Sequence, residues 1–116
     1  DKLMVFQLRQ RSAADTRSHY RQGMLISESG EQIRLDSPQI SMAPIRETPV
    51  AGRSLPLHWT IEIPRTGQVL NIEPLHPDQW MDVDFPYWEG AVVVSGVGPR
   101  NRGRGYMELT GYPPGD

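Results

Sequence analysis

Glu89 is the side chain with the most chemical promise. It follows two aromatic residues, Tyr87 and Trp88, and precedes Gly90. A carboxyl group held among rings in a dry mouth has its charged form disfavoured, so its pKa rises and it can donate a proton. Protonating a plain double bond demands such an acid. The competing reading is a carboxylate bonded to a nearby loop or paired with Arg104, because structural ion pairs also perturb pKa values. Tyr106 and Glu108 stand two apart and so share one face of any strand that carries them. Facing inward, they are polar features of a ligand cavity. Facing outward, they are an ordinary solvated pair. Trp88, Glu89, Tyr106, Glu108 and His58 form the candidate ligand-binding set, with Glu89 the candidate catalytic residue.

Other chemistries find little support. His19, His58 and His76 are isolated, with no second ligand at a metal-binding spacing, so no metal site is expected. His58 is expected to face away from Trp59 toward solvent. The chain has no cysteine, which removes disulfides, thiolate catalysis and cysteine-bound zinc. No Gly-x-Ser-x-Gly elbow is present. Arg100, Arg102 and Arg104 cluster in a Gly-rich stretch, either to touch a phosphate or lipid headgroup or as a solvated hairpin tip. Twelve Lys and Arg against 14 Asp and Glu give a net charge of -2, which argues against a nucleic-acid binder and a polybasic membrane anchor. No cofactor is implied, and no run approaches the roughly 20 apolar residues of a membrane span.

The elements that must position these residues repeat with a period of two. Leu57, Trp59, Ile61 and Ile63 alternate with His58, Thr60 and Glu62, the pattern of a half-buried strand that stops at Pro64. Arg65-Thr66-Gly67 then reads as a turn into a second strand, Gln68 to Glu73. Gly90 to Val97 is rich in valine, and Gly103 to Thr110 carries Met107 and Leu109 on its apolar face. In the first half, Leu3 to Leu8, Tyr20 to Ser27, Glu31 to Leu35 and Gln39 to Ile45 read as strands. Gln10 to Ser18 and Glu47 to Pro56 lack periodicity and read as loops. About eight strands with frequent turn signals give an antiparallel sandwich or barrel. The 11 glycines and 11 prolines leave little room for helices beyond short pieces, expected between Pro74 and Trp80 or after Gln10. A chain of 116 residues accommodates one domain, read as 1–116. The expected core is Trp59, Ile61, Ile63, Leu70, Ile72, Val92, Val94, Met107 and Leu109, with Arg65, Gln68, Arg100 and Arg102 exposed.

Two long motifs carry a family resemblance. Tyr87-Trp88-Glu89-Gly90-Ala91-Val92-Val93-Val94-Ser95-Gly96 and Gly103-Arg104-Gly105-Tyr106-Met107-Glu108-Leu109-Thr110-Gly111-Tyr112, at their spacing, resemble the C-terminal half of the AttH-like family, which is related to carotenoid hydratase (hydroxyneurosporene synthase). Leu3 to Arg9 and Leu57 to Pro64 are similar to it more loosely. The resemblance implies an all-β, antiparallel, lipocalin-like (calycin) barrel, incompletely closed where a strand is lacking. It implies a partner barrel on the N-terminal side, and a hydrophobic small molecule, lipid or polyene as ligand. It also implies export to the periplasm, secretion or membrane anchoring through an N-terminal signal. Calycin barrels set a Trp against a late-strand Arg, which makes Arg104 a candidate beside Trp59 or Trp88.

One departure matters. The acidic residues suspected in the family's hydration chemistry lie in the first barrel and the junction after it, and neither is present. Trp80-Met81-Asp82-Val83-Asp84 looks like that segment but stands in the wrong order. The isolated chain is therefore expected to bind rather than hydrate, with a hydratase or hydrolase on long apolar substrates, or purely structural support of the partner barrel, as the alternatives. Asp1 leads straight into Leu3-Met4-Val5-Phe6, as expected of a piece cut from a longer chain. The Leu3 to Leu8 strand is expected to be an open edge, prone to self-association.

Overall fold

Alternation along Arg53–Ile63 organises the molecule. Leu55, Leu57, Trp59, Ile61 and Ile63 are buried there, while Glu62 is exposed. A computed structural model describes residues 2–9, 20–96 and 102–113. Within them run nine strands: β1 (Lys2–Leu8), β2 (Tyr20–Ile26), β3 (Gln32–Asp36), β4 (Ser41–Val50), β5 (Arg53–Ile63), β6 (Gln68–Pro74), β7 (Trp80–Met81), β8 (Tyr87–Gly96) and β9 (Gly103–Thr110). Every pairing is antiparallel. β1, β2 and β3 form one small sheet. The larger sheet runs β4-β5-β6-β8-β7, with β9 paired to β8. The two sheets pack their inner faces around one core, an all-β lipocalin-like barrel left open rather than closed.

Most of the turns follow the chemistry expected of them. Gly30 and Gly67 adopt positive φ at the β2–β3 and β5–β6 turns, a conformation glycine takes without steric penalty. The Asp36-Ser37-Pro38 corner is a short 3-10 turn, Ser37–Gln39, on which the Gln39 side chain accepts from the Asp36 N–H at 2.8 Å.

Two expectations need correction. Glu47 to Pro56 is not a loop: β4 extends to Val50, Ala51-Gly52 makes a tight turn, and β5 resumes at Arg53. Proline obscured this, and the structure shows why it is tolerated. Pro44 and Pro49 lie on β4, the edge strand, with a register shift after Pro44, and Pro56 lies in the part of β5 that β6 does not reach. No helix forms between Pro74 and Trp80. That segment bonds to β8 instead, with the Leu75 N–H donating to Ala91 O at 2.9 Å and the Glu89 N–H donating to Gln79 O at 3.3 Å. Trp80-Met81 is itself a short strand against Tyr87 and Trp88. The Gln10 to Ser18 loop, His19 and Arg100 lie outside the described residues.

Most of the expected core is buried: Trp59, Ile61, Ile63, Leu70, Ile72, Val92 and Leu109. Each such side chain contributes about 1.5–3 kcal/mol relative to exposure. Val94 and Met107 are only half-buried, and Gln68 is half-buried rather than exposed. All three line the hollow between the sheets. Arg65 and Arg102 are exposed, as read from the sequence.

Candidate functional site: an apolar trough and its surroundings

The inner positions of seven strands converge on a hollow of about 1000 Å³. Its wall combines Leu3 and Val5 of β1 with Leu25 of β2, Met42 of β4, and Trp59 and Ile61 of β5. Leu70 and Ile72 of β6, Val92 and Val94 of β8, and Met107 and Leu109 of β9 continue it, and Lys2, Arg9, Gln68, Arg102, Arg104 and Glu108 border it with polar groups. Register explains the convergence. Trp59 lies opposite Ile72, Ile61 opposite Leu70, Ile72 opposite Val94 and Trp88 opposite Leu109, so one face of the sheet stays apolar across four strands. The first two inward positions of β9 are Gly103 and Gly105. A side chain at Gly103 would meet open space, so the glycines leave that end of the hollow wide. The volume lies at the upper end of the range of ligand pockets, and the lining is mostly hydrophobic as such pockets are.

The hollow opens along the seam between β1 and β9. Among the described residues these strands do not pair: β1 bonds only to β2, and β9 only to β8. At one end Arg9 bridges the seam. Its Nη2 donates to Thr110 O at 2.8 Å and Gly111 O at 3.3 Å, and its guanidinium sits 3.9 Å from the centre of the Tyr112 ring. Burial pushes the Tyr112 hydroxyl above its ordinary pKa, against an opposing pull from Arg9.

The site residues expected from sequence separate into three places. Trp88 is fully buried in the core, its indole N–H donating to Pro77 O at 2.7 Å. Glu89, Tyr106 and Glu108 do come together, but on the outer face of β8 and β9, where Glu89 lies directly opposite Glu108. Tyr106 is 67% exposed. Glu89 thus does not occupy an apolar mouth. It serves instead as hydrogen-bond partner to the Tyr87 and Tyr106 hydroxyls. That bond is the main cause holding Tyr87 above its usual pKa, while for Tyr106 desolvation leads and the Glu89 charge and bond add to it. Tyr106 and Glu108 flank the seam from outside.

His58 stands apart from this cluster, on the outer face of β5. Arg46 approaches His58 Nε2 at 2.7 Å; a guanidinium only donates, so Nε2 accepts and Nδ1 carries the proton. Nδ1 is buried without a hydrogen-bond partner. Burial and then the Arg46 charge hold the His58 pKa below its usual value, against a smaller opposing effect of Glu73.

The Trp–Arg stack also differs from expectation. Arg104 is exposed on the outer face, across from Val93. The stack is made by Arg53, 4.1 Å from the centre of the Trp80 ring, with its Nε donating to Tyr112 O at 3.1 Å and its Nη1 to Ala51 O at 3.1 Å. Arg9, Arg53 and Tyr112 were not singled out in the sequence, because their partners are backbone carbonyls and rings far along the chain. No group of three or more potential metal ligands occurs among the described residues.

A family profile described as AttH-like matches residues 1–112. The crystal structure of a Nitrosomonas europaea protein assigned as AttH is similar, with a TM-score of 0.79 and 34% sequence identity, over 96% of this chain and 35% of that one. The chain therefore spans about a third of that protein's length. No curated protein matches the chain. With the profile match running over nearly its full length, and the apolar trough and open barrel described above, this chain belongs to the AttH-like family.

Proposed function

We propose that the domain holds an elongated apolar molecule, a lipid acyl chain or a polyene, in the trough between its two sheets. The observation that carries this reading is the continuous wall of aliphatic side chains and Trp59 around a hollow of about 1000 Å³ that is open to solvent along one seam. The apolar part of that wall, the larger part, gains from excluding water, about 25 cal/mol for each Å² of apolar surface buried, while charged residues such as Lys2, Arg9 and Arg102 also border the hollow. Glu89 lies on the outer face of β8, away from the inward side chains of the trough wall. The arrangement therefore favours binding over proton donation to a bound chain. Native mass spectrometry of the purified chain, before and after organic extraction, tests the proposal. A lipid-sized adduct lost on extraction and regained on adding a long-chain fatty acid supports it. A chain that carries and accepts no apolar adduct refutes it.

A further inference from the structure

The border of the trough is charged unevenly. Among the described residues, Lys2, Arg9, Arg102 and Arg104 line it against a single carboxylate, Glu108, in a chain whose net charge is -2. Arg9 is engaged already, through its bonds to Thr110 O and Gly111 O and its contact with the Tyr112 ring. Lys2, Arg102 and Arg104 are exposed, and their side chains make no hydrogen bond or ion pair among the described residues.

Two of these cations stand where the wall lacks side chains. Arg102 and Arg104 flank Gly103, and Gly105 follows. A Cβ on Gly103 would meet nothing within 4 Å, so there is room for a ligand atom beside both arginines. Arg104 starts from the outer face, across from Val93, yet it borders the hollow. β9 pairs only with β8 among the described residues, and an arginine lays its aliphatic stem over apolar surface while holding its guanidinium in water, so the side chain reaches the opening round the free edge of the strand. A guanidinium only donates, in a planar fork that fits a carboxylate or a phosphate. The opposite sign lies further along the strand. Glu108 is four residues beyond Arg104, roughly 13 Å at the rise of a strand. It stands directly across from Glu89. An anion is therefore attracted to the start of β9 and repelled toward its end.

We infer that the ligand of the trough is an amphiphile with an anionic head, a carboxylate or a phosphate, held by Arg102 and Arg104 at the wide end while its apolar chain lies along the wall. This narrows the binding reading above, on which it rests, because a hydrocarbon with no charged end leaves both guanidiniums unused. Displacement of N-phenylnaphthylamine, an uncharged apolar fluorophore, from the extracted 116-residue chain tests it. At low salt, dodecanoate or dodecyl phosphate should displace the probe about ten-fold more effectively than dodecanol, the effect of two well-formed surface pairs, and the stronger of the two identifies the head. The difference should shrink as salt is added. In the double variant Arg102→Gln, Arg104→Gln the anionic and neutral chains should compete equally, while the probe binds as before and the melting temperature is unchanged. A probe that binds but is displaced by anionic and neutral chains within about two-fold of one another overturns the inference and leaves the binding reading standing. So does a preference for the anionic chains that survives in the double variant. A probe that does not bind at all overturns both.

Discussion

Gly90→Ala should destabilise the domain although it adds one methyl group. Gly90 faces inward on β8, two residues from Trp88. A Cβ at this position would lie 2.9 Å from Trp88 Cη2 and 3.1 Å from both Trp88 Cζ2 and Gln79 Cγ. Gln79 can move aside, but the indole cannot: it is fully buried, and its N–H is tied to Pro77 O. Overpacking a closed core costs about 1–3 kcal/mol. Replacing glycine returns about 0.4–1 kcal/mol by restricting the unfolded chain. The net loss is therefore about 1–2 kcal/mol, which lowers the urea midpoint by roughly 1 M at the slope usual for small domains. Urea unfolding followed by tryptophan fluorescence measures it. An unchanged or raised midpoint would refute the reasoning and show that the indole has room to shift.

Ile61→Ala removes a buried side chain between Met42 and Leu70 and should cost about 2–5 kcal/mol in the same assay; a change below about half a kcal/mol would mean that the side chain does not contribute to the core. His58 has a folded-state pKa below its unfolded value of 6.5, so the unfolded chain takes up a proton first on acidification. Stability should be full above pH 6.5 and fall as the pH drops through that value, and the dependence should disappear in His58→Gln; thermal melts across this range check it. Glu89→Gln should lower the Tyr87 and Tyr106 pKa values toward the ordinary tyrosine value, because it removes the charge that opposes both phenolates; ultraviolet titration of tyrosinate reads it.

The strands were legible wherever one face meets the core and the other meets water. Leu57 to Ile63 and Gln68 to Glu73 alternate cleanly, and both stand where the period of two placed them. The β4–β5 hairpin was hidden because Pro44, Pro49 and Pro56 read as breaks, and their tolerance depends on which strand edges are unpaired, a property of the assembled sheet. β7 is too short to carry a pattern and is defined by its bonds to β8. At the site, the sequence singled out Glu89 and, separately, the pair Tyr106 and Glu108, but local spacing could say neither that β8 and β9 bring them together nor which face is inner. That choice is made by Trp88, Val92 and Leu109 packing inward, which turns their neighbours out. The Arg9 bridge was invisible for a simpler reason: its acceptors are backbone carbonyls about a hundred residues away.

The most direct test of the trough as a binding site is fluorescence titration of the extracted protein with parinaric acid, a conjugated fatty acid, compared with Gly103→Phe. Trp59 lines the hollow and reports a polyene beside it by loss of indole emission. Gly103 faces inward at the wide end, where a side chain meets no neighbour within 4 Å, so phenylalanine there should occupy ligand space without disturbing the fold. The account predicts saturable one-to-one binding to the unaltered chain, at least about ten-fold weaker binding to the variant, or about 1.4 kcal/mol, and equal melting temperatures. Non-saturable binding, or equal affinity in the two proteins, would contradict it.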